Sequence, residues 1–131
     1  MLAILHGHAR AALDRVDVSA VPHAPAWLAG ATNVDGQIVP VLDLAAWCEP
    51  DQLIDPRDRQ TRALLVGSGS ASAALLFSGL PRLVQVVPEA PAPACPDALA
   101  PYVCGRVPDD PSAIAIDTRA LLTAMGAALS R

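Results

Sequence analysis

The chain has 131 residues and a net charge of −4, with 53% hydrophobic but only 3% aromatic residues. That length suits one compact domain, or two very small barrels sharing a core, filled mainly by Leu, Val, Ile and Ala. The acidic balance and the lack of a basic stripe exclude a nucleic-acid partner, and no apolar run approaches the roughly 20 residues that span a bilayer, so no membrane insertion is expected.

Leu2 to Leu5 reads as a first strand that turns at His6-Gly7-His8. The N-terminus lacks a basic start and its apolar run is too short for a secretory signal, so the expected location is cytoplasmic. Arg10 to Leu13 and Arg15 to Val21 continue as strand, with Val16 and Val18 in alternation. Pro22-His23-Ala24-Pro25 is a stiff connector, because each proline fixes its own φ and restricts its predecessor. Trp27 and Leu28 form an apolar anchor, Gly30 lets the chain turn, and Ala31 to Val34 is a short strand. Asp35-Gly36 is a two-residue hairpin signal, and Gln37 to Leu42 is the return strand. Pro40 cannot donate to a ladder, which places that strand at an edge or at a bulge. An exposed edge flanked by apolar residues is a docking place for another protein. Val39 and Val41 read either as core or as contact residues, since alternation turns one set inward.

Asp43 to Cys48 is a short helix capped by Asp43, with Leu44 and Trp47 on one face. Residues 49–61 are a polar surface loop. Arg62 to Val66 and Ala73 to Phe77 form a hairpin around the flexible tip Gly67 to Ser72. Gly79-Leu80-Pro81 breaks the chain, Leu83 to Val87 is another strand, and the Pro/Ala-rich residues 88–101 are a second loop. Tyr102 to Val107 and Ala113 to Ile116 are late strands around the turn Pro108 to Pro111. Asp117 or Thr118 then caps a C-terminal helix with Leu121, Leu122 and Met125 facing inward. Seven or more short strands with two helices predict a mainly-β barrel fold, without the strand–helix alternation that builds a parallel sheet.

The residues that carry chemistry elsewhere are scattered here. His6, His8 and His23 are a conceivable metal set, but no HExxH or CxxC spacing supports one, and solvated turn histidines explain the pair. Cys48, Cys95 and Cys104 read as free, partly buried thiols, with a Cys95–Cys104 disulfide or metal pair as alternatives. Asp109-Asp110 are turn formers, and Asp55, Arg57, Asp58 and Arg59 read as a solvated loop. The GSGS tip has no following Lys or helix and so no phosphate-cradle context. No nucleophile motif is present, so neither an enzyme nor a cofactor is expected.

Over nearly its whole length the chain resembles the CheW family of chemotaxis coupling proteins. Pro25, Trp27, Leu28 and Gly30, then Asn33-Val34-Asp35-Gly36, Ile38-Val39-Pro40-Val41 and Asp43-Leu44, follow the family's anchor, Asn-x-Arg-Gly, Ile-x-Pro-Val and Asp-Leu pattern in order. Leu64 to Val66, Ala74 to Phe77, Leu80 to Val86, Tyr102 to Gly105 and Ile114 to Leu122 match the family's later segments. The resemblance implies a single domain over residues 1–131, made of two small, intertwined five-stranded SH3-like β-barrels with a short middle helix and a C-terminal helix. It implies a non-catalytic adaptor that couples a methyl-accepting chemoreceptor tip to the regulatory domain of a CheA-type histidine kinase. Partner contacts are then expected at Val18, Val21, Asn33, Asp35, Gly36, Ile38 and Val39. The departures are Asp35 in place of the family's Arg, Ala20 in place of its Glu, Ala11 in place of an aromatic, and a shortened N-terminal part. They suggest that a Glu–Arg pair has been lost from both sides. A divergent paralogue serving a type IV pilus or other chemosensory system is the alternative, and a small-ligand-binding β-barrel is the alternative from another class.

Overall fold

The computed structural model describes residues 2–4, 9–78, 84–88 and 97–129. They form eight strands and two α-helices: β1 (Leu2–Ile4), β2 (Ala9–Leu13), β3 (Leu28–Val34), β4 (Gln37–Leu42), α1 (Leu44–Cys48), β5 (Thr61–Val66), β6 (Ala73–Ser78), β7 (Val103–Val107), β8 (Asp110–Ile116) and α2 (Thr118–Leu129). The chain divides into two units, Met1–His8 with Pro81–Arg131 and, inserted between them, Ala9–Leu80. The first strand in sequence therefore belongs with the last two.

The inserted unit is a five-stranded sheet in the order β2-β5-β6-β4-β3. β6 lies at its centre, and Ala73 to Leu76 are buried without alternation, as a strand covered on both faces requires. Its core joins Val39 and Val41 from β4, Ala63 and Leu65 from β5, and Ala74 and Leu76 from β6. Leu13, Val16 and Val18 pack against that cluster. The other unit is a three-stranded sheet in the order β1-β8-β7, with a core of Ala3, Val107, Ala113 and Ala115. α2 buries Thr118, Leu121 and Met125 at helical spacing, while Leu122 is half-buried. Neither sheet closes into a barrel among the described residues.

Two expectations change, and the strand pairing is one that local signals do not reveal. Both sheets are mixed, since β4 runs parallel to β6 and β8 parallel to β1. Hairpin signals are local and say nothing of these long-range pairings. Arg15 to Val21 is not a strand: Val16 and Val18 do turn to the core, but the segment makes a single bridge, Ser19 to Ala31. β4 is an inner strand, and the edge belongs to β3. Val34 and Gln37 flank the turn as a hydrogen-bonded pair, so Ala31 and Pro40 face each other at a site without ladder bonds. The proline nitrogen thus points away from β3, towards β6, whose pairing with β4 starts only at Val41. The register irregularity lies in β3, between Leu28 and Gly30. The His6-Gly7-His8 turn, the Gly79-Leu80-Pro81 break, Leu83, Cys95 and most of the 88–101 loop lie outside the described residues.

One local design occurs in both units. In the inserted unit, Ser19 and Ala31 exchange two backbone hydrogen bonds of 2.9 Å beside Gly30. In the other, Val87 and Arg106 exchange bonds of 2.9 and 3.0 Å beside Gly105. Each bridged strand leads through a two-residue turn into its return strand and then an aspartate that caps a helix. The aspartate N–H donates back to an aromatic residue's carbonyl, Asp43 to Trp27 and Asp117 to Tyr102, at 2.8 Å in both.

On α2, Gly126 is exposed and a Cβ there would meet nothing within 4 Å. Gly126→Ala is expected to raise unfolding stability by about 0.5–1 kcal/mol through lost unfolded-state freedom and better helix propensity. A urea titration checks this. An unchanged or lowered midpoint contradicts it.

Candidate partner-binding site

The tip of the β3–β4 hairpin is built by its own residues. Asp35 has φ of 50° and Gly36 φ of 87°, the positive pair of a type I′ turn that matches the twist of its flanking strands. Asn33 Oδ1 accepts the Gly36 N–H at 2.8 Å, locking the turn from the side. Gln37 Nε2 donates to the Gly69 carbonyl at 2.7 Å and ties the hairpin to the β5–β6 connection. Asn33 pairs with Ile38 across the strands, so their side chains share one face. On that rigid tip Ile38 is 67% exposed, an apolar side chain left in water by a strand whose neighbours are core.

The structure thus gathers Asn33, Asp35, Gly36 and Ile38. It does not gather the rest. Val39 is 1% exposed and belongs to the core, because alternation along β4 turns 39 and 41 inward and 38 outward. It offers no surface to a partner, and the expectation of contact there is corrected. Val18 is half-buried, packs on the core and lies over Gly30. Val21 is 42% exposed, on the crossing segment that leads into the prolines. The antiparallel Ser19–Ala31 bridge sets Ala20 against Gly30. Asp35 lies four residues beyond Ala31, about 13 Å of extended strand. Ala20 and Asp35 therefore do not face each other, and a pair lost from these two positions does not fit this register.

Behind the hairpin, Asp43 is 1% exposed and its carboxylate accepts two backbone N–H groups, Ala46 at 3.1 Å and Ile54 at 2.7 Å. The first caps α1; the second fastens the 49–61 loop. Trp47 on α1 meets Trp27 edge to face, with ring centroids 5.0 Å apart and planes at 84°.

Among the described residues no set of three or more His, Cys, Asp or Glu could hold a metal. His6, His8 and Cys95 lie outside them. The Cys104 thiol is pushed above the ordinary thiol range by burial and then by the nearby Asp117 carboxylate, against a backbone hydrogen bond acting the other way. That environment disfavours the nucleophilic thiolate. No helix among the described residues is long and apolar enough to cross a membrane.

Sequence reasoning missed a second feature. Residues 14–19, 56–59 and 61 line an open recess of about 370 Å3 at the start of β5, with Arg15, Arg57 and Arg59 beside Asp14, Asp17 and Asp58 on its walls. Arg15 lies some forty positions from Arg57 and Arg59 in sequence, and the alternation RDR covers the latter two alone.

A family model described as CheW-like domain matches residues 2–125. The crystal structure of the scaffolding protein TtCheW from Thermoanaerobacter tengcongensis is similar, with a TM-score of 0.68 and 19% sequence identity over 87% of this chain and 79% of that one. At that identity the likeness is one of fold. No curated protein matches the chain.

Proposed function

Because the chain belongs to the CheW-like domain family, we propose that it is a non-catalytic cytoplasmic adaptor, coupling a methyl-accepting chemoreceptor tip to the regulatory domain of a CheA-type histidine kinase. It acts as one domain of two units, one inserted in the sequence of the other, each the counterpart of a small SH3-like barrel. Coupling arises when both partners are held at once, so that occupancy of one surface biases the other.

The observation that supports a binding role most is Ile38, a large apolar side chain exposed on a hairpin whose shape is fixed by Asn33 and Gly36. Protein contacts of this kind depend on a few apolar anchors, with surrounding charges setting rate and choice. Asn33, Asp35 and Ile38 form the proposed contact, with Val18 and Val21 as a second, smaller one. Asp35 stands where the family pattern has Arg, which favours a dedicated partner and hence the divergent-paralogue form of the same function.

Two variants test the contact against the kinase regulatory domain and the receptor tip by calorimetry. Ile38→Asp is expected to weaken one partner about tenfold or more. Asp35→Arg shifts affinity between partners at a stability cost of up to about 1 kcal/mol, because Arg accepts the positive φ at 35 less readily than Asp, and Ile38→Asp costs about 1 kcal/mol or less. Unchanged binding of both partners by both variants overturns the assignment of this hairpin.

A further inference from the structure

We infer that the outer edge of β2 pairs with the same edge of a second copy of this chain, joining two five-stranded sheets across a two-fold axis. β2 ends the order β2-β5-β6-β4-β3, and among the described residues it pairs with β5 alone. The other edges differ. Ser19 bridges onto β3 through its bonds with Ala31, Val87 bridges onto β7, and β1 has only three residues. Arg10, Ala11 and Ala12 are all exposed, although successive residues of a strand point to opposite faces. An open edge of this kind is a template for another strand.

The charges along the edge select the occupant. Only alternate residues of a strand turn their N–H and C=O groups outward, so antiparallel self-pairing is centred on one residue and its own copy. Centred on Ala12, the register sets Arg10 of each copy opposite Asp14 of the other, and Ala11 opposite Leu13. Centred on Ala11, it sets Arg10 opposite Ala12; centred on Leu13, it sets Asp14 opposite Ala12. Only the Ala12 register joins the opposite charges, and the two-fold axis makes that match twice. Opposite charges across strands stabilise a pairing and like charges oppose it. A strand without this pattern meets an unmatched Arg10 or Asp14, which discourages indiscriminate pairing.

Both charged side chains have capacity for this contact. The Asp14 side chain is 92% exposed, with Arg62 Nε at 3.5 Å. Arg10 Nη1 donates to Ser72 Oγ at 3.0 Å, and among the described residues no carboxylate meets its guanidinium. A carboxylate from the second copy adds a charge-assisted bond that Arg10 lacks in the single chain. Ala11 and Ala12 have no side-chain entropy to lose when the strands meet. Leu13 packs on the core and holds β2 to its own sheet. A register shift between Ala9 and Ala11 confines the pairing to the run from Arg10 to Asp14. So short an edge gives a weak association that depends on concentration.

The test is independent of the adaptor reading, because it contains no kinase and no receptor. Sedimentation equilibrium of the full chain over about a hundredfold range of concentration is expected to show monomer and dimer in exchange. Arg10→Asp and Asp14→Arg each set like charges opposite one another and are expected to weaken dimerisation about tenfold. An equal mixture of these two variants restores both attractions, so it dimerises where neither does alone; thermal melts confirm that each folds. Ala12→Cys places two thiols across the axis at a spacing that a disulfide spans, and mild oxidation is expected to cross-link it faster than the parent. The inference is overturned by a chain that stays monomeric, by charge variants that dimerise like the parent, by a mixture no better than its components, or by cross-linking no faster than the parent's.

Discussion

Asp43→Ala is expected to lower unfolding stability by about 2–4 kcal/mol. The carboxylate has two jobs in a place where water does not reach. It caps α1 by accepting the Ala46 N–H, and it accepts the Ile54 N–H from a loop that has no regular structure. Truncation removes the cap, worth about 1 kcal/mol, and strands the Ile54 donor, worth about 1–3 kcal/mol more. Asp43→Asn keeps one acceptor but turns an NH2 towards one donor, so an intermediate loss is expected. Asp117→Ala is the internal contrast. Its carboxylate caps α2 through exposed bonds from Arg119 and Ala120, and the expected loss is about 0.5–2 kcal/mol. Both tryptophans sit beside Asp43, since the Asp43 N–H donates to the Trp27 carbonyl and Trp27 packs on Trp47. Urea unfolding followed by tryptophan fluorescence therefore reads the effect directly. A loss below about 0.5 kcal/mol for Asp43→Ala contradicts the clamp.

Gly30→Ala is expected to cost about 2–3 kcal/mol, by steric overlap. A Cβ at this position would collide with the Ser19 carbonyl oxygen and lie 2.6 Å from Val18 Cγ1, on a backbone already at φ of 154°. The only relief is to push residues 18–20 off β3, which breaks both Ser19–Ala31 bonds and lifts Val18 from the core. Gly105→Ala repeats the experiment in the other unit. There a Cβ would lie 2.6 Å from the Val87 carbonyl oxygen and 2.9 Å from Val86 Cγ1. Denaturant midpoints measure both. Parent-like stability in both variants contradicts the reading of these glycines as seats for a crossing strand.

What could be read from the sequence was local. Asp35-Gly36 announces a type I′ turn because those residues accept positive φ, and Asp43 and Asp117 announce helix starts because a short carboxylate reaches the free N–H groups of a first turn. The alternation of β4 left Val39 open between core and surface, and the fold decided for the core. What could not be read was long-range. Nothing near Pro40 shows that β6 will pair in parallel from Val41 onward, so an inner strand looked like an edge. Val16 and Val18 alternate like a strand, yet their partners along most of the segment are side chains and not a ladder. Arg15 comes to line the same recess as Arg57 and Arg59 only once β2 has paired with β5. The recess was therefore invisible, while the hairpin tip was legible residue by residue.

The role proposed for this chain is to hold two signalling proteins together. Reconstitution measures it most directly: autophosphorylation of the CheA-type kinase is followed with a receptor signalling fragment, with and without the chain, beside the Ile38→Asp variant. Receptor control of the kinase is expected to require the chain and to be weakened by Ile38→Asp. Receptor control that is equal with and without the chain would contradict it.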